Sequence, residues 1–481
     1  MAEESLKNKT IKGTFWSAAD AFLGQGITFV VGIVLARLLS PEEYGLIGIC
    51  LIFNTVLNGI VDSGFSNALI RKKDVTDADY NTMFITNMVI SLVLYGLLFI
   101  SSPWISEFFM RPELIALVRA TGLVLIFNAL SITQSTILTK RIDFKTKTKA
   151  SLISAVVSGM IGIGMAYSDF GVWALVGQML SKQLIYTLSL WVLNRWVPSF
   201  KCSAGSFQYM WSFGWKLLVS GLLNNFWNQL YQVVVGKFYS PATLGQYTRA
   251  NEYAGIFSSN LTSIIQRVSY PVLSEIQDDR KRMLSVYRKV IKMTMFVTAV
   301  SMISLAAVAE PLIYTLIGIK WHEAASFLPL ICISMSLYPL HAINLNMLQV
   351  LGRSDIFLYL EIIKKFISLI PIGIGIFIGI YWMLVASVFT SIIGLYLNSW
   401  YTGKELGYTF WKQLKDVLPS YLIAMVIAFS VYFLKFIHLS SFIIFVCQFI
   451  LGFLVFVFVC ELTKFSEYVN LKMIFLNTLK K

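Results

Sequence analysis

Long apolar blocks alternate with short polar intervals along almost the whole chain. Most blocks hold about twenty residues, the length that an α-helix needs to cross about 30 Å of hydrocarbon at about 1.5 Å per residue. The predicted fold class is therefore an all-α polytopic membrane protein, because a soluble core would break into shorter amphipathic stretches. The pattern predicts about fourteen transmembrane helices, at 15–38, 45–67, 80–102, 114–138, 149–168, 171–193, 212–236, 250–272, 290–316, 325–349, 357–378, 380–401, 416–435 and 441–462.

The composition agrees with a membrane protein and changes how the net charge is interpreted. Hydrophobic residues make up 57% of the 481 positions and charged residues only 13%. A net charge of +14 would suggest nucleic-acid binding in a soluble protein, but in a membrane protein Lys and Arg accumulate in cytoplasmic loops. Most of the 39 Lys and Arg residues lie at the two ends and in alternate loops. We therefore predict a multi-pass protein with both termini cytoplasmic and no nucleic acid among its partners.

Motifs for enzymatic or metal chemistry are missing from the sequence. The five cysteines are scattered, with no metal-ligand spacing and no close pairs. The sequence contains no Walker A motif, no His-Glu-x-x-His and no Cys-x-x-Cys. We expect no cofactor, no bound metal and no catalytic residue, and we predict that the protein is not an enzyme.

A repeat with a period near 200 residues indicates an internal duplication. Leu39–Gly45 reappears as Tyr239–Gly245, and Arg141–Phe144 is echoed by Arg353–Ile356. The shift carries the first span onto the seventh, so the unit is six helices and both copies cross the membrane in the same direction, as in transporters with parallel repeats. A duplicated scaffold without a transport role is the alternative. The predicted domains are an N-lobe at 1–193, a cytoplasmic linker at 194–211, a C-lobe at 212–401, and helices thirteen and fourteen with a cytoplasmic tail at 402–481.

Polar residues recur within the first two spans of each predicted lobe, where contact with lipid would be costly. On span seven, Lys216, Asn224 and Asn228 stay within about 120° of the helix surface, since each four-residue step shifts by about 40°. We interpret this stripe as the lining of a hydrated cavity between the lobes, where amides and hydroxyls would suit a sugar. The alternative is hydrogen bonding between neighbouring helices. The candidate substrate-binding residues of this set are Asn54, Asn58, Lys216, Asn224, Asn228, Gln232, Ser258, Thr262 and Gln266.

A few ionisable residues fall inside the predicted spans. Lys182 lies at the middle of span six, where snorkelling to the membrane surface is difficult, and Arg119 lies in the outer part of span four. Both are candidates to hold an anionic headgroup, although Arg119 could also snorkel. Asp20 and Asp62 are candidates for a coupling proton or sodium ion, and pairing with a neighbouring cation is an equal alternative. His341 could be a proton site, but a lone histidine on an apolar helix is more often structural.

Several segments resemble polysaccharide transporters of the multidrug/oligosaccharidyl-lipid/polysaccharide (MOP) exporter superfamily. The resemblance is carried by Leu35–Gly45, Asp62–Ile70, Arg195–Pro198 and Tyr270–Ser274, and it extends over nearly the whole chain, weakening after about residue 430. It implies a flippase that moves undecaprenyl-pyrophosphate-linked oligosaccharide to the outer leaflet of a bacterial cytoplasmic (inner) membrane by alternating access. The cargo would be a repeat unit of lipopolysaccharide O-antigen, capsule or exopolysaccharide. The expected partners are this lipid-linked oligosaccharide, membrane lipids, and the glycan polymerase and glycosyltransferases of the same pathway.

Three alternatives stay open at this point. A lipid II flippase shares the fourteen-helix layout, whereas a cation-coupled multidrug antiporter of the same superfamily would have twelve helices and a site of aromatic and acidic groups. A polytopic glycosyltransferase or polymerase is the alternative of another class. Such enzymes usually need a sizeable extramembrane loop for their chemistry. Here the longest loops, 194–211 and 273–290, are predicted to be cytoplasmic, and the outer loops have about a dozen residues or fewer.

Overall fold

The computed structural model describes residues 16, 20–62, 64–199, 201–437 and 439–479. Every regular element in these ranges is helical, which agrees with the predicted all-α fold class. The outermost parts of the two predicted cytoplasmic ends and several residues at the start of the first predicted span lie outside the described residues. The chain divides into two compact units, Met1–Gly245 and Gln246–Lys481.

The first unit is a bundle of helices that begins with a π-helical turn at Asp20–Gly24. Its helices are α1 (Gln25–Leu38), α2 (Pro41–Asp62), α3 (Phe65–Arg71), α4 (Asp77–Phe109), α5 (Leu114–Lys140), α6 (Phe144–Tyr167), α7 (Val172–Asn194) and α8 (Ala204–Phe238). The most extensive packing is between α6 and α7 and between α4 and α5. The repeat assigns most of α8 to the second lobe, yet α8 packs against α2, α3 and α4 of the first unit. The predicted lobe boundaries stay a prediction.

Helix α9 (Pro241–Glu275) begins in the first unit and continues into the second. The other helices of the second unit are α10 (Arg280–Ala307), α11 (Ala309–Leu316), α12 (His322–Ser336), α13 (Tyr338–Val350), α14 (Ser354–Ile367), α15 (Leu369–Phe377), α16 (Ile380–Leu406), α17 (Phe410–Tyr432), α18 (Ser441–Leu462) and α19 (Ser466–Leu479). Helix α10 packs along α17 and α12, and α17 packs along α18. Tyr287, Met295 and Met347 are fully buried in an apolar core of this unit.

Nine helical segments among the described residues are long and apolar enough to cross a membrane. Helices α7, α8 and α9 have 23, 35 and 35 residues, but polar side chains lower their mean hydropathy. These are the helices on which the sequence placed most of its candidate polar residues. The predicted total of about fourteen spans stays a prediction.

The two copies of the duplicated Ser-Pro segment meet each other at their glycines. A Cβ atom on Gly45 would lie 1.7 Å from the carbonyl oxygen of Pro241, and a Cβ atom on Gly245 would lie 1.9 Å from that of Pro41. Both obstacles are backbone atoms, which cannot rotate aside as a side chain can. The duplicated glycine therefore has the same task in both copies, which is to let the first turns of α2 and α9 cross in contact.

The second echoed segment also makes equivalent contacts in its two copies. Nη1 of Arg141 donates to Oδ1 of Asn194 at 3.4 Å, and Nη1 of Arg353 donates to Oε1 of Glu405 at 2.7 Å. Arg141 thus ties the junction before α6 to the end of α7, and Arg353 ties the junction before α14 to the end of α16. Arg353 also pairs with Asp355 at 3.1 Å, and this hydrogen-bonded guanidinium holds the pKa of the Asp355 carboxyl below its usual value.

Candidate functional site

Helix α8 presents a row of exposed polar side chains. Lys216, Asn224 and Asn228 are exposed and Gln232 is half-buried. Within the described part of the chain, none of the four has a hydrogen-bond or ion-pair partner. The neighbouring Asn225 points elsewhere, since its Nδ2 lies 2.8 Å from the position that a Cβ on Gly59 of α2 would take. The stripe therefore consists of polar groups that protein packing leaves free to meet water or a ligand.

A chain of amides connects three helices of the first unit. Nδ2 of Asn128 on α5 donates to Oδ1 of Asn58 on α2 at 2.8 Å. Nε2 of Gln183 on α7 donates to Oγ of Ser131, also on α5, at 3.2 Å. Asn54, one turn before Asn58, is only 3% exposed, and neither of its side-chain polar atoms has a partner among the described residues. The sequence identified Asn54 and Asn58 but missed Asn128 and Gln183, since a single amide carries no sign of its partners.

The structure brings Lys182 and Asp20 into the same neighbourhood. Nζ of Lys182 on α7 lies 3.4 Å from Oγ1 of Thr28 on α1. The Asp20 carboxylate, in the π-helical turn before α1, acts electrostatically on Lys182 and on Lys147 of α6. Oδ1 of Asp20 is buried and lacks a hydrogen-bond partner among the described residues. The π-helical turn packs against α6, and α6 packs along α7. We refer to Asp20, Lys147 and Lys182, on these three packed segments, as the Asp20 cluster.

Lys147 is the member of this cluster that sequence reasoning missed. The predicted spans leave Lys147 in the cytoplasmic loop before the span 149–168. In the structure it belongs to α6, one turn before Ser151. Ser151 of α6 and Asp20 both lie close to Gly24. A Cβ atom on Gly24 would be 3.7 Å from Oγ of Ser151 and 3.5 Å from Oδ1 of Asp20. The four-residue spacing from Lys147 to Ser151 could have indicated that both lie on one face of a helix. The neighbouring Lys145 and Lys149 made the segment look like a basic loop instead.

Arg119 is engaged in packing between two helices. Its Nε donates to Oγ of Ser102 at 2.9 Å, and its guanidinium carbon lies 4.1 Å from the centre of the Phe99 ring. Both partners are on α4, so Arg119 ties α5 to α4 by a hydrogen bond and a cation–π contact. The structure does not bring it into the cluster that contains Lys182.

Asp62 has local partners at the start of α3. Oδ1 of Asp62 accepts hydrogen bonds from the backbone N–H and the hydroxyl of Ser66. Oγ1 of Thr136 on α5 donates to the Ser66 hydroxyl at 3.0 Å. No cation pairs with Asp62 among the described residues, so its contacts resemble those of a residue that caps a helix.

The candidates on α9 differ from those on α8. Ser258 is fully buried and its hydroxyl donates to the carbonyl of Met335 on α12 at 2.7 Å. Thr262 is 2% exposed and donates to the carbonyl of Ser258 at 2.7 Å. Gln266, one turn further on, is half-buried. Both hydroxyls are used on backbone carbonyls, as in helix–helix packing.

The second unit contains a buried amide network that the sequence did not reveal. Oδ1 of Asn344 accepts hydrogen bonds from the Tyr287 hydroxyl at 2.8 Å, from Thr402 at 2.8 Å and from Gln413 at 3.0 Å. Nδ2 of Asn344 in turn donates to Oε1 of Gln413 at 3.0 Å. Helices α10, α13, α16 and α17 therefore meet around one asparagine that is 0% exposed.

His341, one turn before Asn344 on α13, has a side-chain partner at each ring nitrogen. Nδ2 of Asn398 is within hydrogen-bond distance of Nδ1 of His341, at 3.1 Å, and Nε2 lies 3.2 Å from Oγ of Ser391. The structure therefore surrounds this histidine with packing partners. Among the described residues, no group of three or more His, Cys, Asp or Glu side chains could hold a metal ion.

Comparison with known proteins identifies the family. The model of a family described as polysaccharide biosynthesis protein matches residues 34–326. The chain belongs to this family. A curated relative is the succinoglycan biosynthesis transport protein ExoT of Rhizobium meliloti, which is 23% identical over 435 residues, covering 88% of this chain and 87% of the relative. The sequence resemblance to polysaccharide biosynthesis and transport proteins is thereby confirmed.

Solved structures with the same fold come from two branches of transporters. The lipid II flippase MurJ, in an inward closed conformation, matches with a TM-score of 0.74 at 18% identity, covering 94% of this chain and 98% of that one. An inward-facing multidrug resistance MATE family transporter of the MOP superfamily matches with a TM-score of 0.60 at 14% identity, covering 81% and 99%. The fold is that of a multi-pass membrane transporter, as the fold class predicted.

Proposed function

We propose that this protein is a flippase that moves an undecaprenyl-pyrophosphate-linked oligosaccharide from the cytoplasmic to the outer leaflet of a bacterial inner membrane. The cargo is a repeat unit of lipopolysaccharide O-antigen, capsule or exopolysaccharide. Membership of the polysaccharide biosynthesis family, and the likeness to ExoT, a succinoglycan biosynthesis transport protein, support this class of cargo. In this proposal both termini are cytoplasmic, and the polymerase and glycosyltransferases of the pathway work beside it.

The exposed polar stripe on α8 is the observation that carries the proposal. Asn224 and Asn228 lie near the middle of a 35-residue helix, where an amide facing lipid would be unfavourable. Because they are exposed and lack protein partners among the described residues, water or a sugar is the environment that suits them. Helix–helix bonding, the alternative for this stripe, does not fit these two side chains.

Lys182 is the cation that we assign to the pyrophosphate. It is half-buried and has Thr28 beside it rather than a carboxylate in direct contact, so its ammonium group is free to approach an anionic oxygen. Arg119 is the weaker candidate because its guanidinium is already occupied on α4. Of the two acids proposed for a coupling ion, Asp20 is the better placed, since its orphaned oxygen lies in the cluster with Lys182 and Lys147.

The first test is deletion of the gene in its native host, followed by analysis of lipid-linked sugars and surface glycan. We expect undecaprenyl-linked repeat units to accumulate on the cytoplasmic side while the surface polysaccharide is lost. Accumulation of lipid II would instead identify a lipid II flippase. Unchanged lipid-linked sugars with greater sensitivity to toxic compounds would identify a multidrug antiporter, and missing polymer with correctly flipped units would identify a polymerase.

The second test asks whether the α8 stripe handles the cargo. Asn224→Ala/Asn228→Ala should restore little surface glycan in the deletion strain while the protein stays at its normal level in the membrane. The matched control is Val219→Ala/Leu223→Ala, two exposed apolar positions with the same spacing on the same helix. Equal complementation by both double variants would remove the stripe from the site without affecting the family assignment.

A further inference from the structure

A basic cavity lies beside the N-terminal half of α10. It has a volume of about 440 Å³ and is formed in the second unit by α10 and α19. Its polar lining includes Lys281, Arg288, Lys289 and Lys292 from α10, with Glu467 and Asn470 from α19. The four basic residues are spaced at 0, 7, 8 and 11 positions along α10, which places them on one face of the helix.

The carboxylates near this cavity neutralise only part of its positive charge. Arg288 pairs with Asp416 through two hydrogen bonds of 2.8 and 2.9 Å, and Lys292 pairs with Glu467 at 3.1 Å. Lys281 and Lys289 are exposed and have no carboxylate within ion-pair distance among the described residues. The cavity therefore has two unneutralised ammonium groups and favours an anionic ligand.

The position of the cavity relative to the apolar parts of its walls indicates where that ligand comes from. Lys292 is the last basic residue of α10, and the helix continues as an apolar run to Ala307. On the other wall the apolar helix α18 ends at Leu462, just before α19 begins. The ring of Phe296, one turn beyond Lys292, lies 5.1 Å from that of Phe465. Both walls thus change from apolar to charged at the same level, which is the level of lipid headgroups.

We propose that this cavity binds the phosphate headgroup of an anionic phospholipid from the adjacent leaflet. Lys281 and Lys289 contact the phosphate oxygens, as ammonium groups do with phosphate elsewhere. The apolar side chain of Met293, which follows Lys292 and also lines the cavity, accommodates the start of the acyl chains. Basic pockets between membrane helices on the cytoplasmic side are suited to such headgroups. Because α10 follows a predicted cytoplasmic loop, the lipid belongs to the cytoplasmic leaflet.

The experiment uses the full-length protein in detergent and measures bound lipid by native mass spectrometry. Palmitoyl-oleoyl-phosphatidylglycerol, palmitoyl-oleoyl-phosphatidylcholine and inorganic phosphate are titrated separately. The test variant is Lys281→Gln/Lys289→Gln, which removes the two unneutralised charges. Lys145→Gln/Lys149→Gln is the matched control, since these lysines are equally exposed near the start of another helix, α6. Ser285→Glu, which places a carboxylate in the cavity without removing a basic residue, is the second variant.

We expect the wild type to bind phosphatidylglycerol more tightly than phosphatidylcholine, and Lys281→Gln/Lys289→Gln to weaken that binding by roughly 30-fold, the contribution of two lysines near an anionic headgroup. Ser285→Glu should also weaken it, and the control should not. Binding of inorganic phosphate with no preference between the two lipids would overturn the lipid assignment in favour of a free-anion site. Equal losses in the test and control variants would overturn the site, since they would reflect total charge alone.

Discussion

Two groups of asparagine side chains in this membrane protein have opposite surroundings. Asn224 and Asn228 on α8 are exposed and without protein partners in the described part of the chain, whereas Asn344 on α13 is fully buried and takes part in five hydrogen bonds. Both groups lie on helices that the sequence predicts to span the membrane. An amide there needs hydrogen-bond partners. Neighbouring helices provide them for Asn344, whereas for Asn224 we expect water or the proposed cargo to do so. The comparison teaches that an amide side chain on a membrane helix indicates a substrate site only where no protein group forms hydrogen bonds with it.

The largest expected effect is on the stability of the second unit. Asn344→Ala would remove a buried acceptor that Tyr287, Thr402 and Gln413 share, at about 1–3 kcal/mol for each donor left unpaired. Thr402 and Gln413 also have backbone carbonyls within reach. We expect a loss of several kcal/mol, seen as little folded protein in fluorescence-detected gel filtration after mild heating. Asn224→Ala, the same chemical change at an exposed position, should elute and melt as the wild type does. Equal melting of both variants would break the comparison.

The next effect separates two intramembrane cations. Lys182→Ala should reduce transport by about tenfold or more, because a charge-assisted contact contributes about 1.5–3 kcal/mol, and it should leave thermal stability nearly unchanged. Arg119→Ala should instead destabilise the protein by about 1–3 kcal/mol, since it removes the hydrogen bond to Ser102 and the contact with Phe99. Complementation of surface glycan and thermal melting are measured for both. Full transport by Lys182→Ala would exclude it from the site.

A smaller effect is the difference in access to water along α8. Cysteines introduced at Asn224 and Asn228 should react with a membrane-impermeant thiol reagent several times faster than a cysteine at Val235, which is 0% exposed. The background is a variant in which the exposed Cys202 and Cys447 are replaced by serine. Added lipid-linked oligosaccharide should slow the reaction at 224 and 228. Equally slow reaction at all three positions would favour the alternative that the stripe forms hydrogen bonds with neighbouring helices.

The smallest effect concerns the hydroxyls of α9. Ser258→Ala removes a single hydrogen bond to the carbonyl of Met335, and we expect a loss of about 1 kcal/mol of stability with normal transport. Ser258→Asn, which adds volume at a fully buried position, should be worse tolerated because the packed core has no room for it. Lost transport with unchanged melting in Ser258→Ala would show that Ser258 belongs to the site after all.

The sequence alone was sufficient for the fold class and the family resemblance. The apolar blocks predict helices because their length matches the hydrocarbon layer, and no tertiary information is needed for that. The duplicated segments around Pro41 and Pro241 also indicate where two helices begin, since each proline is the first residue of a helix. The glycine four residues later allows close backbone contact in both copies. The lengths and boundaries of helices interrupted by polar residues, such as α8, were harder to predict.

Only the tertiary structure decided which polar residues have partners. Asp20, Lys147 and Lys182 are far apart in sequence but lie on three helical segments that pack in series. Asn344 and Gln413 satisfy each other across two helices, while Asn224 has no such neighbour in the described part of the chain. Helical periodicity places a side chain on a face, but it does not say what lies opposite that face. Hydrogen bonding and electrostatics depend on that opposing group at distances of a few ångströms, so the role of each polar residue follows from packing rather than from its position in the chain.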